Sequence, residues 1–350
     1  MNTLALFTGS GTNIPASTSW YVDVLAEFRG KQKLYTQQSP QKLKVLREHA
    51  LIESAVSSNR IEGVAMEAAR IPNVLVATKP LFRDRDEEEI RGYRDALTWI
   101  HEQTTHIPIN EPSLKTLHRM ARGQIWDAGE YKLRDGDIIE RNASGVERVR
   151  FRPVPANETS AQMSRLIQTW NQCQEERWVP TIIAVAAFNL DFLCIHPFRD
   201  GNGRVSRLAL LLQTYHAGME VGRYISLERL VEQNKDRYYQ TLEQSSFGWH
   251  EARHDPWPFI NYVLDILRTA YREFEERVGQ MTEPRGAKAE LVRNAVRKCQ
   301  GEFRLVDIER ACPGVGREWI RTVLADMKKS GELTCTGRGM AARWRQVTDR

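Results

Sequence analysis

The segment HPFRDGNGRVSR, residues 196–207, gathers one imidazole, one carboxylate, one amide, two glycines and three guanidinium groups into twelve residues. The stretch RVSRLALLLQTYH, which begins inside it, has the spacing of apolar residues that predicts a helix. The first turn of a helix presents unpaired backbone N–H groups, and the preceding glycines let the backbone wrap closely around an anion. The segment therefore predicts an anion-binding turn between two helices.

The charged side chains of this turn indicate which anion it binds. Arg204 and Arg207 lie three residues apart on one face of the helix, and two forked guanidinium groups suit a ligand with several phosphates. Asp200 adds an oxygen ligand of the kind that Mg²⁺ prefers when it bridges phosphates. His196 ends the preceding helix, and an imidazole with an ordinary pKa of about 6.5 can accept a hydroxyl proton near neutral pH. These residues predict phosphoryl or nucleotidyl transfer from a nucleotide to a hydroxyl. The alternative is a tight interhelical turn with surface arginines.

Composition indicates an ordinary globular chain around this segment. Its 350 residues, 41% apolar and 27% charged, suggest two or three domains. No apolar run is long enough to span a bilayer, and the N-terminus has no signal-peptide pattern. The five cysteines are scattered, which favours a reducing compartment over a disulfide framework or a zinc site. We therefore expect a cytoplasmic protein with no membrane partner.

Periodicity predicts a mainly α-helical fold with one β-hairpin. The hairpin is expected over 131–153, around the turn residues NASG, and residues 1–15 are expected to be unstructured or loosely docked. Gly218 has the position of a C-terminal cap. The predicted helices cover 41–58, 86–102, 111–123, 158–177, 180–195, 204–217, 225–246 and 254–279.

HPFRDGNGRVSR resembles the Fic family signature HxFx(D/E)GNGRxxR at every fixed position, and the resemblance extends over about 40–280. It implies a helical bundle with a β-hairpin flap over the active site. It also implies AMPylation, the transfer of AMP from ATP to a Ser, Thr or Tyr hydroxyl of a target protein. Transfer of another phosphate-linked group, such as UMP or phosphocholine, stays open because the signature specifies only phosphate geometry.

The resemblance assigns a role to each residue of the signature. His196 would deprotonate the target hydroxyl, and Asp200 would bind the Mg²⁺ that bridges the α- and β-phosphates. Arg204 would hold the β-phosphate and Arg207 the γ-phosphate. The rest of the ATP-binding turn would consist of Gly201, Asn202, Gly203, Val205 and Ser206.

Two further segments resemble parts of the same family. GEYK, residues 129–132, is similar to the GxFR lead into the flap, so Ile138 and Ile139 would clamp a target strand by strand addition. RYY, residues 237–239, resembles the border of the adenine pocket, which implies contacts from Tyr239 and its neighbour Tyr238. Helix packing is the alternative for both tyrosines. The asparagine frequent in the family seven residues later is Ser246 here.

SNRIEG, residues 58–63, resembles the family's inhibitory motif (S/T)xxxE(G/N). This implies that Glu62, supported by Ser58, pairs with Arg207 and so keeps that guanidinium from a γ-phosphate. The enzyme would then inhibit itself. Removal of AMP, with Glu62 orienting a water, is also open, and the alternative is a solvated surface glutamate.

The C-terminal stretch is basic. From Arg285 onward the chain has fifteen Lys and Arg against eight Asp and Glu, whereas the whole protein has a net charge of only +5. Its pattern resembles a winged helix-turn-helix, a common partner of Fic domains. A protein-binding or dimer-forming domain is the alternative. In the DNA-binding interpretation, the phosphate contacts come from Arg317, Arg321, Lys328, Lys329, Arg338 and Arg343.

Together these patterns predict three regions: an N-terminal helical region with the inhibitory helix at 1–105, a Fic catalytic domain at 106–281 and a winged helix-turn-helix domain at 287–350. The expected partners are a target protein held at the flap, DNA at the C-terminal domain, and a second copy in a homodimer. The competing function is a DNA-binding regulator that only senses ATP, which the presence of His196 disfavours because a sensor needs no base.

Overall fold

The structure, a computed structural model, describes most of the chain. The described residues are 3–8, 13–36, 40–78, 80–123, 125–141, 147–280, 287–299, 301–312, 315–337 and 342–347. They form a mainly helical fold, as predicted. The helices of the larger part are α1 Ala16–Thr36, α2 Pro40–Ile61, α3 Arg85–Gln103, α4 Glu111–Arg122, α5 Ala156–Glu176, α6 Thr181–Ile195, α7 Asn202–His216, α8 Leu227–Gln233, α9 Lys235–Ser246 and α10 Trp257–Gln280.

Helix α6 is the centre of this bundle. Every residue of 182–195 is buried, in keeping with a sequence that is apolar on all sides. The helix packs against α5, α7 and α10, so its neighbours cover it from several directions. It ends beside the start of α7, which places the 196–201 connection at one rim of the bundle.

Helix α2 crosses the same rim. It packs against α3 and α8 and also contacts α7. Its last turn therefore brings residues 58–62 toward the first turn of α7, although the two segments are about 145 residues apart in the chain. The structure thus brings the two motifs of the sequence together.

The observed secondary structure differs from the sequence predictions in three places. Residues Thr3–Phe7 form a 3₁₀ helix with Leu4 and Phe7 buried, because the Asp191 carboxylate accepts hydrogen bonds from this distant segment. The sequence pattern also missed α1, whose fully buried apolar side is small. The helix predicted over 225–246 is two helices, broken at Asn234, whose backbone is not helical.

The predicted hairpin consists of β1 Ile138–Arg141 and β2 Glu147–Phe151 in antiparallel pairing. Its register changes between Ile138 and Ile139, where the strands are irregular. β2 contacts α9, and this two-stranded ribbon leaves the outer edge of β1 without a strand neighbour among the described residues. The predicted NASG turn lies outside the described residues.

The C-terminal part has its own small core. It contains α11 Ala287–Arg297, β3 Glu302–Phe303, α12 Leu305–Ala311, α13 Arg317–Lys329, β4 Leu333–Thr336 and β5 Arg343–Gln346, with an antiparallel sheet in the order β3-β5-β4. Leu291 of α11 is buried in the core of the larger part, and Lys298 Nζ lies 3.5 Å from Glu273 of α10. The assignment of this part to the winged-helix family and the three domain boundaries stay predictions.

Two expectations drawn from composition can be compared with the structure. All five cysteines are free thiols. Among the described residues, no helix is both long and apolar enough to cross a membrane.

Substitution of Asp191 by alanine should destabilise the bundle. The buried carboxylate accepts hydrogen bonds from the Thr3 N–H and hydroxyl, the Leu4 N–H and the Trp249 indole, so its loss removes the acceptor of four donors. We expect the free energy of unfolding, measured by urea denaturation, to fall by about 3 kcal/mol or more. The control is Asp23→Ala at an exposed position of α1. An Asp191→Ala variant as stable as this control would contradict the assignment.

Candidate active site

His196 occupies the point where α6 ends. Its backbone is left-handed, with φ of 52°, and its N–H still bonds the Phe192 carbonyl at 2.9 Å. This conformation turns the ring out of the helix axis, and Nδ1 lies 3.3 Å from the Leu193 carbonyl oxygen. Because a carbonyl only accepts, Nδ1 carries the proton and Nε2 keeps the free lone pair. Burial, assisted by the nearby Lys132 ammonium, lowers the pKa of His196 to about 4, so the ring is neutral at neutral pH.

The residues between α6 and α7 form a tightly held turn. The Asn202 side chain bonds the backbone of Phe198 twice, accepting from its N–H at 2.9 Å and donating to its carbonyl at 2.7 Å. Gly201 has φ of 81°, and a Cβ there would lie 2.9 Å from Arg122. Asn202 therefore fixes the loop through its side chain, and only its backbone N–H is left to face a ligand.

The start of α7 leaves backbone donors available. Val205 N–H is bonded to the Gly201 carbonyl at 3.0 Å, so the N–H groups of Asn202, Gly203 and Arg204 precede the first bond of the helix. The side chains of Val205 and Ser206 point away, since both are buried and Ser206 Oγ donates to Asn189. Those two predicted residues belong to the core.

Arg207 is engaged by the last turn of α2. Its Nε donates to Ser58 Oγ at 2.9 Å, and its Nη2 donates to the Ser58 carbonyl at 3.0 Å and to Glu62 Oε1 at 2.7 Å. Burial alone would lower the pKa of Arg207, but Glu62, Tyr238 and Tyr93 together outweigh it and raise that pKa above its ordinary range. Nη1 has no hydrogen-bond partner among the described residues and is buried. A Cβ on Gly203 would lie 2.2 Å from Glu62 Oε1, so this carboxylate fills the space over the turn.

Arg204 is held by residues that sequence analysis missed. Only 1% of it is exposed, and its Nη1 donates to Glu89 Oε2 at 2.5 Å and to Asn59 Oδ1 at 3.2 Å. Glu89 Oε1 accepts from Arg122, and the same Arg122 nitrogen lies 2.9 Å from Asp200. The signal for Glu89 was its place four residues before buried Tyr93, on the apolar side of α3.

Asp200 is the most accessible charged group of the signature that faces this turn. Its side chain is 61% exposed, and Arg122 and Arg204 lower the pKa of Asp200 against the opposing effect of burial. No group of three or more His, Cys, Asp or Glu side chains suited to a metal occurs in the described part of the chain. A single carboxylate fits Mg²⁺ that takes its other ligands from phosphates and water.

The two tyrosines have different environments. Tyr238 is buried and packs against Phe259 and Tyr262, which agrees with helix packing. Tyr239 is half-buried, its hydroxyl donates to the Ile61 carbonyl at 3.4 Å, and the Arg150 guanidinium lies 4.8 Å from its ring. Tyr239 therefore reaches the last turn of α2.

A groove of about 770 Å³ opens beside His196. Its walls are the segment 126–138 and the loop 196–199. Ile138 lines it, whereas Ile139 is 55% exposed on the hairpin. Trp126 and Leu133 add exposed apolar surface to the same walls. His196 itself lines this groove, together with Phe198 and Arg199.

The predicted DNA contacts lie apart from this site, on the C-terminal part. Lys328 is exposed on α13. Arg317 and Arg321 on the same helix are paired with Glu309 at 3.1 Å and Glu318 at 2.6 Å. Arg338 lies outside the described residues.

Comparison with known proteins agrees with this fold. The relative "Protein adenylyltransferase Fic" of Nematostella vectensis is 23% identical over 227 residues, which are 62% of this chain. The chain spans about half, 47%, of the length of that curated relative.

Solved structures share the fold. A Fic family protein of Desulfovibrio desulfuricans G20 has a TM-score of 0.63 at 21% identity, covering 97% of this chain and 98% of its own. A Fic domain containing signaling protein of Bacteroides thetaiotaomicron VPI-5482 has a TM-score of 0.60 at 22% identity, covering 74% and 100%. Fic-1 from C. elegans has a TM-score of 0.57 at 17% identity, covering 75% and 73%. The model of the Fic/DOC family matches residues 108–214, so this part of the chain, which includes the whole of 196–207, is a Fic/DOC family domain.

Proposed function

We propose that this protein is a self-inhibited transferase that moves AMP from ATP to a Ser, Thr or Tyr hydroxyl of a target protein and of itself. The Fic/DOC domain and the relative named an adenylyltransferase support this class of reaction. The observation that carries the proposal is the placement of a neutral imidazole beside a helix start with two buried arginines. Only a reaction that takes a proton and holds phosphates needs both.

In this mechanism His196 Nε2 accepts the proton of the target hydroxyl. The hydroxyl oxygen bonds to the α-phosphorus of ATP, and the bond from that phosphorus to the bridging oxygen breaks. The electron pair leaves with pyrophosphate, and AMP stays on the target. The Leu193 carbonyl keeps the ring oriented through Nδ1. The N–H groups of Asn202, Gly203 and Arg204 would bind phosphate oxygens at the start of α7.

Asp200 would hold Mg²⁺, which neutralises phosphate charge when it is bound. Its Oδ1 also accepts from the N–H of Gly201 at 2.6 Å, which fixes the carboxylate against the turn. Arg207 would bind the γ-phosphate and already has Nη1 without a partner among the described residues.

Inhibition would follow from competition between two anions for one guanidinium. Glu62 contacts Arg207 and covers Gly203, so a γ-phosphate must displace this carboxylate or stay away from Arg207. The side chain of Glu62 is 30% accessible and follows the last helical residue of α2, so it can leave without breaking the core.

Replacement of Glu62 by glycine should raise self-AMPylation. The change frees Arg207 and removes a negative charge from the phosphate site, so labelled AMP should be incorporated at least several-fold faster. The measurement is incorporation from labelled ATP with Mg²⁺. The matched control is Glu67→Gly, an exposed glutamate that pairs only loosely with Arg83 at 3.4 Å. A Glu62→Gly variant no faster than wild type would show that the inhibitory role is wrong.

Replacement of His196 by alanine should abolish most of the transfer. Loss of a general base costs roughly 10²- to 10⁴-fold in rate, whereas ATP binding should persist because the phosphate contacts are elsewhere. Both are measured in the Glu62→Gly background, with the exposed His106→Ala as the control. If the His196→Ala variant transfers AMP at the full rate, His196 is not the general base.

Two other reactions use the same geometry. The phosphate contacts do not distinguish one nucleobase or phosphate-linked group from another. Transfer of UMP or phosphocholine is therefore tested by mass spectrometry of the protein after incubation with each donor. Removal of AMP, with Glu62 orienting a water, is tested by incubating a modified target with the wild-type protein.

A second function, DNA binding, is supported by the charge of the C-terminal part and by exposed lysines on α13. Binding to phosphates by these residues should be independent of base sequence and weaken steeply with salt.

The double variant Lys328→Glu/Lys329→Glu should therefore weaken a gel shift of the full chain and reduce its salt dependence. The control is Lys44→Glu, an exposed position on α2 that is distant in sequence from the C-terminal part. If wild type gives no shift even at low salt, the C-terminal part does not bind DNA.

A further inference from the structure

Lys132 bonds the backbone on both sides of His196. Its side-chain Nζ donates to the carbonyl of Ile195 at 3.1 Å, and its own N–H donates to the carbonyl of Pro197 at 2.9 Å. The residue is 8% exposed and lies in the GEYK segment, about 64 residues before the base. One lysine thus hydrogen-bonds the residues on both sides of His196, which is the expected general base.

The end of α6 explains why a cation is placed there. The last carbonyls of a helix have no partner within it, and they carry partial negative charge that favours a positive group. His196 interrupts the helix with a left-handed backbone, so Ile195 and Pro197 need partners from outside. In the described part of the chain, no carboxylate lies within 4 Å of the Lys132 ammonium. Burial lowers the pKa of Lys132 to about 8, which still leaves it mainly charged at neutral pH.

The Lys132 ammonium also affects the pKa of the His196 ring. After burial, Lys132 is the strongest influence that lowers the pKa of His196. Glu62 and Asp200 act in the opposite direction, as does the Leu193 carbonyl bonded to Nδ1. Lys132 therefore adds to the larger effect of burial and opposes two carboxylates that raise the pKa of His196.

We propose that Lys132 is a positioning residue for the general base: it holds His196 in its left-handed conformation, with Nε2 free, and places an ammonium beside the ring. This inference rests on the proposed function, because it assigns Lys132 a role in the same reaction. It adds a residue outside the signature, on the segment that leads into the hairpin. The lysine touches no reacting atom and acts only through His196.

Three substitutions separate the geometric role from the electrostatic one. In the Glu62→Gly background, Lys132→Met removes both the donor and the charge, Lys132→Gln keeps a donor without the charge, and Lys132→Arg keeps both. We expect kcat to fall roughly 10- to 100-fold in the Met variant, as for other misplaced catalytic groups, while the KM for ATP stays within about twofold. Arg should restore most of the rate, and Gln should lie between the two.

The pH dependence gives a readout that a purely structural role would not move. A His whose pKa is lowered is neutral, and active as a base, at every pH above that lowered value. Loss of the ammonium lets the pKa of His196 rise, so the acidic limb of the kcat profile should move to higher pH in the Met and Gln variants and stay in place with Arg. An NMR titration of the His196 ring, assigned with the His196→Ala variant, should show the same shift without any turnover.

The control is Lys115→Met, which removes a neighbouring lysine whose Nζ lies 4.2 Å from the centre of the Tyr131 ring and 3.9 Å from Glu130 Oε2. Melting temperatures identify variants that fail to fold. If the Lys132→Met variant fails to fold, the Lys132→Gln and Lys132→Arg variants are compared with each other. An unchanged kcat and an unchanged His196 titration in the Gln variant would overturn the proposal. If the Glu62→Gly background itself transfers no AMP, the proposed function fails, and the NMR titration still decides what Lys132 does to His196.

Discussion

The connection between α6 and α7 is the constraint on which the site depends. One helix ends in a left-handed histidine and the next begins six residues later, so an imidazole and a helix N-terminus lie at the two ends of a short turn. Asn202 closes that turn on Phe198 from both sides. His118 accepts from the Gly129 N–H through Nδ1 and so donates through Nε2 to the Asp200 carbonyl at 3.0 Å. Hydrogen bonds within the protein therefore hold this turn in place.

The two signature arginines are both buried, and each is neutralised by a carboxylate from another helix. Arg204 has Glu89, which is itself buried and shared with Arg122, so removal of this carboxylate would leave a buried charge at a cost of about 3–5 kcal/mol. Arg207 has Glu62, which is partly accessible and close to the end of its helix. One carboxylate is thus part of the core, and the other is partly accessible. In the proposed mechanism, that difference would let a phosphate replace Glu62 while Arg204 stays in place.

Much of this could be predicted from sequence because the signature is contiguous. The residue types of 196–207 could be interpreted from the sequence alone, because they are adjacent in the chain. Helix periodicity predicted α3 to α7 within a few residues of their observed ends. Glu62 was predicted only through a motif resemblance, since its pairing with Arg207 joins residues 145 apart. Glu89, Arg122 and Lys132 were missed because their roles depend on packing between distant segments.

The secondary structure that the sequence pattern did not predict also depends on contacts that a local pattern does not show. Thr3–Phe7 is ordered by a carboxylate 188 residues away, which no local pattern reveals. Asn234 ends α8 within an otherwise helical pattern, with its side-chain amide bonded back to the Leu230 carbonyl. In each case the local sequence allows more than one structure, and a long-range or side-chain contact selects one.

The most direct test of the account is a crystal structure of the Glu62→Gly/His196→Ala variant with ATP and Mg²⁺. We expect the triphosphate to lie against the N–H groups of residues 202–204, with its γ-phosphate on Arg207 and its α-phosphorus facing residue 196. A nucleotide bound elsewhere, with the turn between α6 and α7 empty, would contradict the account.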